Sequence, residues 1–282
     1  MSHSRVSIAV VCAVVCGLLL GACTADTVRP DRTAVQPVPT TRAPLPVSRP
    51  MSEQVGNDKA RRSAKARTDL GMAYMRSGRI GIAMDEARAA VEADPGYAPG
   101  HLLLGMSYAI QEQPELARPH FETAAQIAPG DPEVNEAYGW YLCSRGREAD
   151  GLHRLEAAAR NPYNSKPGQS WFNAGLCYMR LQQFTEAEQR FQRALQSDSS
   201  NLAARLALAD ASFRLGNFPR AKHWLDQSMQ RMSRTPPDVL WLAARVEHQL
   251  GNAQAVRVFG NRLLQDYPDS EEALRYREGK FE

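Results

Sequence analysis

Aromatic residues, cysteines and net charge are all scarce in this sequence. Only 7% of its 282 residues are aromatic, 5 are cysteines, and the formal net charge is +3. A sheet protein would normally be richer in aromatic and β-branched residues, whereas the abundant Ala, Leu, Arg, Gln and Glu favour helices. A charge so close to zero gives no reason to expect a nucleic-acid partner.

Motifs that would indicate catalysis or metal binding are missing as well. The sequence contains no G-x-S-x-G nucleophile elbow, no phosphate-binding Walker loop and no G-x-G-x-x-G dinucleotide motif. It has no C-x-x-C pair and no two histidines four residues apart, which are spacings that favour a metal site. We therefore expect no catalytic residue, metal, cofactor or small-molecule substrate.

The one long hydrophobic run covers residues 6–20 and follows the positive charge of Arg5. As a helix it would span about 22 Å, short of the roughly 30 Å hydrocarbon core of a bilayer, so it is typical of a signal peptide. The run ends in Leu20-Gly21-Ala22-Cys23, which resembles the lipobox of bacterial lipoproteins. We predict a cleaved signal peptide at residues 1–22 and lipidation of Cys23.

The alternative for this segment is an ordinary secretory signal followed by an incidental cysteine. Residue 24 is Thr and not Asp. By resemblance to the sorting rule of Gram-negative lipoproteins, this favours the outer membrane. We expect a periplasm-facing protein that is attached to the outer membrane by its N-terminal lipid.

The next segment, residues 23–58, is rich in proline, threonine and arginine and shows no apolar period. Proline lacks the backbone N–H and fixes φ, so neither helix nor sheet propagates through such a stretch. We predict a disordered, partly extended tether, with helix beginning near Lys59. The alternative is a proline-rich recognition motif.

Residues 59–282 show internal repeats with a period of 34 residues. The tetratricopeptide pattern has Leu-Gly at positions 7 and 8, Tyr at 11, Ala at 20 and 27, and Pro at 32. The second unit matches with Leu104-Gly105, Tyr108, Ala117, Ala124 and Pro129. Six units follow the pattern, and they start at Ala64, Ala98, Pro132, Gly168, Leu202 and Pro237.

These repeats predict an all-α fold rather than an unrelated helical bundle. Each unit is two antiparallel helices, and units stack into a right-handed superhelix with a concave inner surface. A C-terminal helix follows the six units, with Asp269 and Glu272 as its predicted capping box.

The first helix of each unit should face the concave side with positions 2, 5, 9, 12 and 13. These positions are apolar through four units, and later units become more polar. A contiguous apolar surface indicates a binding site, and Met adapts to irregular partner side chains. The alternative is that the N-terminal tail or neighbouring repeats cover these residues. The predicted partner-binding groove comprises Met72, Met75, Leu102, Met106, Ile110, Trp140, Phe172, Leu176 and Met179.

Two cysteines remain after Cys12 and Cys16 leave with the signal peptide and Cys23 carries lipid. Cys143 and Cys177 lie at positions 12 and 10 of adjacent first helices, in a compartment that is oxidising. We predict a disulfide that clamps units three and four across residues 161–167, where the repeat register shifts by two. The alternative is two buried free thiols.

Several segments resemble the type IV pilus biogenesis and stability lipoproteins, the PilW/PilF family, at positions outside the general repeat pattern. The proline-rich tether is longer than this family suggests, and the sixth unit is degenerate. The matching segments are residues 135–143 (NEAYGWYLC), Asn161-Pro162-Tyr163, residues 173–177 (NAGLC), Leu240-Trp241-Leu242 and residues 267–270 (YPDS).

The resemblance implies a pilotin-like role at the outer membrane, in which the protein assists assembly or localisation of the secretin pore and affects fibre stability. The implied partner is a protein, either a secretin subunit or another pilus assembly component. A scaffold lipoprotein for outer-membrane protein insertion or peptidoglycan synthesis is the alternative. An envelope enzyme is a further one, but no catalytic constellation favours it.

Overall fold

The computed structural model describes residues 42–54, residue 56 and residues 58–281. The predicted signal peptide, the lipidation site Cys23 and the tether up to residue 41 lie outside the described residues. The described part is helical apart from its loops and the extended stretch before α1. No helix in it is long and apolar enough to cross a membrane. The helices are α1 (Lys59–Arg76), α2 (Ile80–Ala93), α3 (Ala98–Ile110), α4 (Pro114–Ile127), α5 (Pro132–Ser144), α6 (Glu148–Arg160), α7 (Pro167–Arg180), α8 (Phe184–Ser197), α9 (Leu202–Arg214), α10 (Phe218–Met229), α11 (Pro237–Gln249), α12 (Ala253–Asp266) and α13 (Glu271–Arg277).

The first twelve helices form six antiparallel pairs, which are the six predicted units. Each pair packs on the next, and the first helices α1, α3, α5, α7, α9 and α11 also contact one another in sequence. The all-α tetratricopeptide architecture expected from the repeat pattern is thereby confirmed. Because each unit touches mainly its neighbours, the apolar core is a chain of clusters along the array rather than a single centre.

Local sequence explains where the helices begin. Asp131 caps α5 by accepting hydrogen bonds from the N–H groups of Glu133 and Val134, and Pro132 occupies the first turn. Asn201 caps α9 in the same way through the N–H of Ala204. The helix α13 differs from expectation, since Ser270 rather than Asp269 is the cap and accepts from the N–H of Ala273.

The turn inside every unit uses a left-handed backbone at position 15. Four units have glycine there, with φ near 75°, where a β-carbon would be strained. Units two and four accept the same conformation with Glu112 and Gln182, at φ 56° and 57°. The glycines are Gly78, Gly146, Gly216 and Gly251.

The end of the predicted tether differs from the expectation of disorder. Residues 42–54 run along the repeat array and include a short 3₁₀ turn at Met51–Glu53. Pro50 is buried, and Met51 packs against apolar clusters of the array. Proline prevents helix and sheet here, but an extended chain still docks when loops elsewhere supply its hydrogen-bond partners.

Candidate functional site: the surface of the first helices

The predicted groove residues lie on α1, α3, α5 and α7, and they differ in exposure. Ile110 and Trp140 present the most surface, at 53% and 39% exposed. Met72, Met75, Met106, Phe172, Leu176 and Met179 are half-buried. The first helices of units one to four therefore each present partly exposed apolar side chains, of which Ile110 and Trp140 are the most prominent.

Leu102 is not part of this surface, and its assignment to the groove is wrong. It is only 5% exposed and belongs to a core cluster with Phe121 and Tyr138. Met51 of the docked N-terminal segment packs against the same cluster. The repeat pattern places Leu102 correctly on its helix, but it does not show that the side chain packs into this cluster.

The half-buried side chains of the predicted groove pack against core residues of the array. Met72 and Met75 pack against the cluster that holds Leu103 and Leu104. Phe172 lies beside Phe191, with ring centroids 5.7 Å apart. These contacts fix the side chains in place, so that a partner would meet a preformed apolar surface.

The surface becomes charged at units four and five. An open pocket of 510 Å³ lies there. The guanidinium groups of its two arginines form only long ion pairs. Arg214 pairs with Asp210 at 3.3 Å, and Arg180 reaches Glu148 at 3.9 Å. Exposed pairs of this kind contribute about 0–1 kcal/mol, so both guanidiniums can exchange partners. The pocket is lined by Met179, Arg180, Gln182, Phe184, Asp210 and Arg214.

The equivalent positions of unit six are covered by the chain itself. Phe281 stacks on His248 with ring centroids 4.4 Å apart and lies 5.3 Å from Trp241. The Nε of Arg245 donates to the carbonyl oxygen of Phe281 at 3.4 Å. The surface of the first helices that a partner could reach therefore lies in units one to five. The repeat pattern did not predict that Phe281 covers unit six.

Cys143 and Cys177 lie in contact between α5 and α7. They are disulfide-bonded in the structure, with their Cα atoms 5.7 Å apart. Both are fully buried in a core cluster that extends from unit three to unit five. The bond spans residues 161–167, the loop at which the repeat register shifts.

Titratable groups in the described residues do not assemble a metal site. The most prominent pair is His101 and His120, whose Nδ1 atoms are 3.3 Å apart. The Nε2 of His101 also lies 3.1 Å from the carbonyl oxygen of Pro95. Burial lowers the pKa of both imidazoles, and the proximity of His101 lowers that of His120 further. This arrangement joins α3 to α4 within unit two.

Comparison with known proteins defines the class. A family model described as tetratricopeptide repeat matches residues 68–132 and 139–201, and a second model with the same description matches residues 178–236. These segments fall within units one to five. The chain is a tetratricopeptide-repeat protein.

The similar proteins point to one group within this class, the type IV pilus biogenesis factors. The type IV pilus assembly protein PilF of Pseudomonas aeruginosa is 24% identical over 233 residues, which cover 83% of this chain and 90% of PilF. The crystal structure of PilW, described as a widely conserved type IV pilus biogenesis factor, matches with a TM-score of 0.71 and 28% identity over 75% of this chain and 96% of PilW.

A solved PilF structure from Pseudomonas aeruginosa supports the same fold. It matches with a TM-score of 0.70 and 21% identity, covering 79% of this chain and all of that one. The chain is homologous to PilF and structurally close to PilW, and the resemblance found in its sequence is confirmed.

Proposed function

We propose that this protein is an outer-membrane lipoprotein that binds a protein partner during type IV pilus biogenesis. Homology to PilF over most of both chains supports a role in type IV pilus biogenesis. The lipobox-like Leu20-Gly21-Ala22-Cys23 supports the anchor, and Thr24 supports sorting to the outer membrane. The protein acts by binding and requires no cofactor, in keeping with the repeat fold.

The partner binds on the surface of the first helices. The observation that carries this step is the exposure of Ile110 on α3 and Trp140 on α5, together with half-buried methionines on α1, α3 and α7. Large apolar side chains held in place at a surface favour a protein partner, because their burial is favourable and little side-chain freedom is lost. A secretin subunit is the proposed partner, with the protein assisting assembly or localisation of the pore and thereby the fibre.

The test measures secretin multimers in outer membranes as the heat-resistant oligomer. Cells without the gene should lose the multimer, and the wild-type gene should restore it. The double variant Ile110→Lys/Trp140→Lys should fail to restore it, since two charges would be carried into the partner contact. The matched control is Val258→Lys on α12, which has the same 53% exposure as Ile110 and should restore the multimer.

Two results would count against the proposal. Normal multimers in cells without the gene would exclude an essential role in secretin assembly and favour fibre stabilisation or another envelope complex. Full rescue by a folded Ile110→Lys/Trp140→Lys protein would exclude the surface of the first helices. Circular dichroism of the purified variant establishes that it is folded.

A further inference from the structure

The N-terminal strap, defined as residues 42–54, is held by its main chain. The N–H of Ser48 donates to the carbonyl oxygen of Gly130 at 3.1 Å. The side-chain amide of Asn161 donates to the carbonyl oxygens of both Ser48 and Gly130, at 3.0 and 2.9 Å. Both main-chain polar groups of Ser48 are therefore satisfied by loops far away in sequence.

A buried carboxylate supplies the second attachment. The N–H of Met51 donates to Oδ2 of Asp131 at 2.7 Å, while Oδ1 caps α5. Asp131 is fully buried, and burial raises its pKa although these backbone hydrogen bonds oppose the shift. A buried carboxylate oxygen without a hydrogen-bond partner is strongly unfavourable. The strap therefore supplies the hydrogen bond to Oδ2 of Asp131, while the array supplies those to Oδ1.

Side chains of the strap connect three units. Met51 packs against the cluster of Ala64, Ala90 and Tyr97 in unit one as well as the cluster of units two and three. The guanidinium of Arg49 lies 5.1 Å from the ring centroid of Tyr163. At the outer end of the strap, Arg42 forms an ion pair with Asp150 on α6.

The loop before α5 is shaped for this close approach. A β-carbon on Gly130 would lie 2.8 Å from the carbonyl oxygen of Pro46 and 3.0 Å from the nitrogen of Ser48. The three nearest atoms all belong to the strap. The closest contacts of a residue larger than glycine at this position would therefore be with the strap.

We propose that the loops around Gly130–Asp131 and Asn161–Tyr163 form a peptide-binding site whose occupant is the chain's own strap. This assigns a role to the Asn161-Pro162-Tyr163 motif, since Asn161 binds the strap main chain and Tyr163 contacts Arg49. The docked strap sets the point at which the membrane tether leaves the array, a consequence that rests on the proposed lipid anchor at Cys23.

Docking also limits how far the array can move from the membrane. With the strap bound, the chain from Cys23 to the strap spans at most about 70 Å when fully extended. Release of the strap up to the start of α1 would raise this limit to about 130 Å. The site therefore acts on tether length and on the direction in which the tether leaves the array.

Hydrogen exchange measured by mass spectrometry on the mature full-length protein in detergent tests the proposal. Strap amides of the wild type should exchange at least about tenfold more slowly than those of a synthetic 42–54 peptide. Gly130→Ala should remove this protection, because the three atoms nearest to its β-carbon all belong to the strap. Gly81→Ala, where nothing lies within 4 Å of the added β-carbon, is the matched control and should keep it.

A second variant distinguishes release of the strap from unfolding of the array. Ser48→Pro removes the strap N–H that donates to Gly130 and changes no residue of the array. It should also release the strap while α7 to α12 keep their protection. Peptide-like exchange of the wild-type strap, or unchanged protection in both Gly130→Ala and Ser48→Pro, would overturn the proposal. Neither outcome depends on lipidation or on a pilus partner.

Discussion

Single glycines show how far the repeat pattern constrains this molecule at the residue scale. Position 20 is Ala in units one, two, four and five, but unit three has Gly151. A β-carbon there would lie 2.6 Å from the carbonyl oxygen of Gly139 and would also meet the Sγ of Cys143. The close crossing of α5 and α6 therefore excludes even a methyl group.

Gly151→Ala should destabilise the protein even though Ala is the better helix former. We expect a loss of about 1–3 kcal/mol in the free energy of unfolding, as is common for overpacking in a core. Gly81→Ala, in an open part of α2, should be neutral or stabilising by up to about 1 kcal/mol. Urea denaturation measures both, and equal effects of the two substitutions would contradict this explanation.

The His101–His120 contact predicts a pH dependence of stability. Burial holds the pKa of both imidazoles below the ordinary value of 6.5, so the unfolded chain binds protons more readily than the folded one. The free energy of unfolding should therefore fall as the pH drops below about 6.5. Asp131 and Glu133 have pKa values raised by burial and act in the opposite direction at acidic pH.

Comparison with a variant isolates the histidine contribution. Urea midpoints between pH 8 and pH 5 should fall more steeply for the wild type than for His101→Gln/His120→Gln. The exposed His223 provides the control, since His223→Gln should follow the wild type. Parallel curves for the wild type and the double variant would show that the pair does not titrate in this range.

At the element scale, the sequence predicted what depends on local signals. The starts of α3, α5, α9 and α11 at Ala98, Pro132, Leu202 and Pro237 coincide with the predicted starts of units. They were predictable because the 34-residue period repeats the same packing requirement and because proline or a capping side chain marks several of the helix starts.

Elements that depend on distant partners were not predictable in this way. Ser48 of the strap accepts a hydrogen bond from Asn161, which lies 113 residues away in sequence. The composition of the strap alone indicates an unstructured tether. The covering of unit six by Phe281 has the same origin. A periodic pattern describes contacts between neighbouring helices, and it is silent about chain segments that return from either end.

At the scale of the whole molecule, contacts between neighbouring units determine how cooperatively the array unfolds. In such a solenoid the stability is approximately a sum of unit and interface contributions, so a weak junction can separate two halves. The junction of units three and four carries the shifted register and the loop at residues 161–167. The disulfide between Cys143 and Cys177 lies across this junction.

Loss of this bond should therefore affect both stability and cooperativity. In the chain-entropy model, closing a loop with the observed sequence separation of 34 contributes about 3–4 kcal/mol. The variant Cys143→Ala/Cys177→Ala should unfold at lower urea and with a broader or divided transition, monitored by circular dichroism. The wild type under reducing conditions is the control, because a similar result there assigns the loss to the bond and not to the removed sulfur atoms. Two alkylatable thiols in unreduced, denatured periplasmic protein would contradict the clamp, and the irregular junction would then rely on the packing of α5 and α6 against α7.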